Sequence, residues 1–188
     1  MFQDPIVKIA KGWVEEVSAK VTPTIQANDA AITGAPSLIT GVHYQHGHIL
    51  EIIETLKQRD QGGKELEKYP LVALLQDFPL RRGQLGIEGE TTLHFIIAMS
   101  TLPEYKADQR QARNFDPILY PIYEAFLKTI AASPFTMEYS VSKISHTQID
   151  RMYWGRDGLA GVEGNIFDDW IDCIELKDLS LKINRKVC

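Results

Sequence analysis

The chain is short of cysteine, of excess charge and of long apolar runs, and each shortage removes a class of protein. Only Cys173 and Cys188 occur among its 188 residues. They form neither a C-x-x-C pair nor a zinc-ligand spacing. Cys188 is the last residue, so a reducing compartment is expected in place of a structural disulfide. No apolar stretch approaches the ~20 residues that cross a bilayer. Met1-Phe2-Gln3-Asp4-Pro5 lacks the basic-then-apolar pattern of a secretion signal. The expectation is a chain without a membrane, made and kept in a cytoplasm or in something assembled there. Lys and Arg number 20 against 25 Asp and Glu, a net charge of −5. Phosphate binding needs clustered cations, so no overall affinity for nucleic acid is expected. An acidic balance also fits a surface that DNA passes without sticking.

Reactive motifs are equally scarce. There is no G-x-S-x-G elbow, no H-E-x-x-H, and no Gly-Lys-Ser/Thr after the glycines of residues 155–164. A strand is expected after those glycines, and a phosphate site would need a helix N-terminus there. Cys173 lies in an apolar, strand-like stretch with no cation beside it in sequence to lower its pKa. Asp168, Asp169 and Asp172 lack the glycine and terminal glutamate of a calcium loop and read as a solvated turn entering a strand. The best metal candidate is His43-Tyr44-Gln45-His46-Gly47-His48. In a helix His43 and His46 share a face and His48 lies roughly 200° from His46. In a strand His46 and His48 share a face and His43 does not. No regular structure points all three together, so no cofactor and no enzymatic activity are expected.

What is present is ordinary globular material, 44% hydrophobic and 24% charged, enough for one domain over residues 1–188. Asp4-Pro5 is a helix start, and Ile6, Ile9, Ala10, Trp13, Val14 and Val17 follow as one stripe. Thr22-Pro23 is expected to end that helix, with residues 24–37 irregular. A second helix is expected to begin between His43 and His48, burying Ile49, Ile52, Ile53 and Leu56 and stopping at Gly62-Gly63. Residues 69–78 and 91–101 read as an antiparallel strand pair joined by a glycine-bearing loop at 79–90. A third helix follows the cap at Asp116-Pro117, with Pro121 delaying or kinking its start and Ser133-Pro134 ending it. Residues 138–147 read as a strand, and 151–168 as a second long loop.

The last strand runs over 171–183. Its alternation of Ile174, Leu176, then Leu179, Leu181, Ile183 changes parity at Lys177-Asp178, which requires a β-bulge or bend there. The order predicts α+β: a mostly antiparallel mixed sheet of four to five strands, with three helices packed on one face.

The loops carry the candidate interface residues. Arg81 and Arg82 on the first, like Arg110 and Arg113 before the third helix, are too few for a nucleic-acid footprint; acidic groups of a partner chain, or plain solvent, would meet them. Trp154, Phe167 and Trp170 flank the second loop, which also holds Arg156 and Asp157. These aromatics either anchor a partner or pack the loop ends onto the core.

Three segments carry a resemblance: residues 69–78 (YPLVALLQDF), 113–123 (RNFDPILYPIY) and 172–181 (DCIELKDLSL), with support around Val42-His43-Tyr44. Over roughly residues 40–183 the chain resembles structural proteins of tailed bacteriophages and prophages, particularly those of Bacteroidetes hosts. The order of elements is similar to tail-terminator and neck proteins. The resemblance implies a virion structural protein that forms a homo-oligomeric ring, hexameric or higher, at the head–tail junction. Its partners would be adjacent neck, portal or tail-tube proteins, with DNA only passing through the lumen. Alternatives are another portal–tail connector or tail-completion ring protein, and a small metal-dependent enzyme using His43, His46 and His48. A further alternative is a monomeric intracellular adaptor that binds one partner.

Overall fold

A computed structural model describes residues 6–82, 88–137, 140–154 and 169–184. Helix α1 spans Ile6–Thr33, strand β1 His43–Gly47, helix α2 Ile49–Gln61, and strands β2, β3 and β4 Leu71–Leu75, Leu80–Arg82 and Glu88–Ser100. A third helical rod follows, made of α3 (Ala107–Arg110), a π-helical stretch Gln111–Leu119 and α4 (Tyr120–Ala132). Strands β5, Ser145–Arg151, and β6, Ile171–Asn184, complete it. The sheet runs β1-β2-β4-β6-β5, with β3 attached to β4. Among the described residues only β1 and β2 are parallel; the other pairs are antiparallel. The fold is α+β, as expected, with six strands among the described residues.

The helices occupy both faces, where the sequence reading placed them on one. Val72, Leu74, Leu93, Phe95, Ile97, Ile174 and Leu176 pack against α1 and the third rod. Their neighbours Leu71, Ala73, Ile96, Ala98, Ile171 and Cys173 pack against Ile52, Ile53 and Leu56 of α2, with Trp154. The unbroken run Leu71-Val72-Ala73-Leu74-Leu75 is the local cause. A strand with apolar residues at every position loses stability unless both faces are covered.

Helix α1 continues through Pro23. Proline costs a helix interior about 3 kcal/mol. Beyond it Ile25 is 0% exposed, and burying an aliphatic side chain is worth about 1.5–3 kcal/mol. That burial, with the Gln26 amide donating to the Ile39 carbonyl at 2.7 Å, offsets the breaker. The continuation places Asn28, whose amide donates to the Pro117 carbonyl at 2.9 Å. The third rod starts nine residues before the expected cap at Asp116. Pro117, with no N–H to give, sits inside the π-helical stretch, where the wider i→i−5 register accommodates it.

His43–Gly47 is a strand, not a helix start; it gains order by pairing with β2, and α2 then carries the chain over to β2 as a parallel crossover requires. The loop expected at 79–90 is shortened by the β3–β4 pairing, and the strand expected over 138–147 begins at Ser145. The bulge forms where the parity change put it. Lys177 and Asp178 together oppose His94 between the Leu93–Leu179 and Phe95–Leu176 pairs, and Asp178 takes φ +54°. Leu179, Leu181 and Ile183 thereby stay on the face of Ile174 and Leu176.

Candidate functional site

The three histidines separate. His43 lies on the β1 face opposite to Tyr44, its Nε2 3.4 Å from the Thr40 hydroxyl. Burial lowers its pKa, assisted by the charge of Arg59 and opposed by the Leu66 carbonyl and Glu67. His46 stacks on Tyr44 with ring centroids 5.7 Å apart. His48 caps α2: its Nδ1 accepts the Leu50 N–H at 3.3 Å, and Glu51 accepts the His48 N–H at 3.2 Å. This is the reciprocal capping pattern with imidazole in place of a hydroxyl. Among the described residues no group of three or more His, Cys, Asp or Glu is arranged to hold a metal ion.

Arg110 and Asp172 correct the sequence reading that left them to solvent or a partner. Both are 0% exposed, with Nη1 2.6 Å from Oδ1. The guanidinium also donates to the carbonyls of Tyr105 at 2.8 Å and Leu102 at 2.9 Å. Asn114, one turn on, donates to the second Asp172 oxygen at 2.8 Å. Tyr153, held at φ +57°, lays its ring 3.6 Å from the Arg110 guanidinium carbon. A buried ion pair is tolerable only when its remaining donors and acceptors are matched, and here they are. Arg113 sits with its guanidinium carbon 5.0 Å from the Tyr105 ring.

A second cluster occupies the other sheet face. Glu175, buried, accepts from Arg151 Nε at 2.8 Å and from Trp154 Nε1 at 2.8 Å, with Lys177 Nζ at 3.4 Å. Burial pushes its carboxyl up, but the hydrogen bonds from Arg151 and Trp154 and the charge of Lys177 prevail and leave its pKa below the ordinary value. His94 stands opposite the bulge, and its buried Nε2 has no partner among the described residues. Burial lowers its pKa, with Lys177 and Arg151 acting the same way and Glu175 and Asp178 against. The Cys173 thiol is pushed well up by burial and by nearby Glu175, which makes it a poor nucleophile.

No family model matches the chain, and no curated protein matches it.

The candidate interface residues fall in three groups. Arg81 is exposed on β3, opposite Glu90 in the ladder, and Arg82 pairs in register with Gly89. Trp154 is buried and closes the core under α2, so packing accounts for it. Trp170 is half-buried and meets Tyr153 edge-on at 5.2 Å. Arg156, Asp157, Phe167 and Asp168 lie outside the described residues. Asp169 pairs with Lys68 at 2.5 Å and also accepts from the Tyr69 hydroxyl.

The sheet edges were not legible as sites. Strand β1 is polar and short; β5 sets half-buried His146, Ile149 and Arg151 among exposed positions. On β5, Asp150 accepts from Tyr120 at 2.6 Å and His146 Nε2 lies 2.7 Å from the Tyr123 hydroxyl. Helix α4 thus braces one face of an edge strand whose outer side meets no other strand of the described sheet. The only sequence signal was the run of polar residues after Ile144.

Proposed function

We propose that the chain is a structural subunit of a tailed-phage particle, acting as a tail terminator or neck protein in a ring at the head–tail junction. The observation that carries the reading is a sheet covered on both faces and, among the described residues, open at two unlike edges, β1 and β5. A subunit with two different edges can join copies head to tail, and such contacts close into a ring at the right rotation. The buried charges support the same reading, because they pair with each other and stiffen the body that carries the edges. The net charge of −5 suits a lumen that repels passing DNA. A portal–tail connector or tail-completion ring would use the same features.

Mass spectrometry of purified phage particles tests the proposal, together with electron microscopy of the purified chain. The expected result is the chain in the particle at a small fixed copy number, and ring-shaped assemblies on the grid. A chain absent from particles of a phage that encodes it would overturn the reading.

A further inference from the structure

We infer that the outer edge of β5 in one copy pairs with the outer edge of β1 in the next, so that the sheet continues antiparallel from subunit to subunit. The inference rests on the ring reading for closure, but its geometry comes from the sheet. The His43 N–H goes to the Pro70 carbonyl and the Gly47 carbonyl takes the Gln76 N–H. In a parallel pair, alternate residues bond to the same neighbour. Tyr44 and His46 therefore turn their backbone groups outward.

Edge strands of free-standing proteins are guarded by lysine, proline or outward charge. Strand β1 has none of these. Strand β5 has neither lysine nor proline, its register shift is confined to its start between Ser145 and Thr147, and its two charges are engaged inside the chain, Asp150 by Tyr120 and Arg151 by Glu175.

Direction and apolar surface agree with this partner. Strands β1, β2 and β6 run one way and β4 and β5 the other. Continuing the sheet thus sets β5 antiparallel to the next β1, the more stable sense. Exposed large apolar residues flank both edges. Leu50, 51% exposed, is three residues past β1. Leu66, 50% exposed, has its carbonyl 3.3 Å from the hydroxyl of Thr40, three residues before β1. Met152, 38% exposed, directly follows β5. A symmetric β5–β5 dimer would leave β1 and its leucines uncovered; head-to-tail pairing engages both edges of every copy.

The test uses full-length chain carrying Cys188→Ser, with Gln45→Cys in one preparation and Thr147→Cys in another, and a short bis-maleimide cross-linker. The mixture is expected to give covalent dimer at least tenfold above either variant alone. His46→Pro in the Gln45→Cys chain, which removes an outward N–H and spares the ladder to β2, and Gln148→Lys in the Thr147→Cys chain, which guards the other edge at an exposed position, should each abolish the dimer while leaving the circular dichroism spectrum and melting transition in place. Cross-linking of Thr147→Cys with itself, or no dimer in the mixture, overturns the inference. Rings seen by microscopy without the β1–β5 cross-link would sink the edge pairing and spare the ring. A cross-link in a chain absent from phage particles would do the reverse.

Discussion

At the scale of single residues, the interior is decided by charges that found partners far along the chain. Removing one member of a buried ion pair strands the other, at a cost of about 3–5 kcal/mol. Asp172→Ala is expected to destabilise by that amount in urea unfolding, because Arg110 and Asn114 lose their shared acceptor. The double variant Arg110→Met with Asp172→Asn should be less destabilised than Asp172→Ala, since no buried charge is left unpaired and Asn114 keeps an acceptor at 172.

The pH dependence belongs to the other face. His94 has a folded pKa below its ordinary 6.5. The neutral form is therefore favoured by folding; its contribution is complete above about pH 6.5 and is lost as pH falls through the folded value. Glu175, also depressed from an ordinary 4.5, adds a loss of the same sign at lower pH. His94→Leu should flatten the stability curve between pH 7 and 5, measured by urea midpoints. The slope that remains there has the sign expected of His43, which is depressed too. Glu175→Gln should flatten it below about pH 4.5.

At the scale of elements, β1 and α2 depend on one junction. Gly47 takes φ +139°, and a Cβ there would come within 2.8 Å of the Glu51 carboxylate that closes the α2 cap. Gly47→Ala should lower stability by more than the ~1 kcal/mol expected of a lost cap alone, and His48→Ala by about that ~1 kcal/mol, both read from thermal melts. In α1, Pro23→Ala restores a backbone donor where burial of Val21 and Ile25 already holds the helix. It is expected to raise the melting temperature, because the cost of proline is removed while the packing is kept. The same helix shows what local reading weighs wrongly: Thr22-Pro23 is a sound stop signal until the burial of Ile25 and the hydrogen bonds of Gln26 and Asn28 beyond it are counted.

At the scale of the whole molecule, two cores share one sheet, with Cys173 at 0% exposure in the core under α2. With Cys188 replaced by Ser, thiol reagents should modify Cys173 only at the rate of opening of that layer, and the rate should rise with denaturant. Modification as fast as that of a free thiol would mean that α2 does not cover the sheet in solution. Among the described residues no helix is long and apolar enough to cross a membrane. Assembly is the property that this scale adds, because an edge exists only once the strand order is set. That order puts polar β1 and β5 outermost and the apolar strands β2, β4 and β6 between them.

The amino-acid sequence by itself determined the α+β class, the stripe of α1, the apolar strands and the bulge at Lys177-Asp178, because periodicity and parity are local properties of the chain. Tertiary structure decided that β1 is a strand, that helices cover both faces, that Pro23 and Pro117 lie inside helices, and that Arg110 meets Asp172. Each of these turns on free energy gained between segments far apart in the chain, Arg110 and Asp172 being 62 residues apart. Burial and pairing across such separations outweigh local preference and leave no trace in any short window of residues.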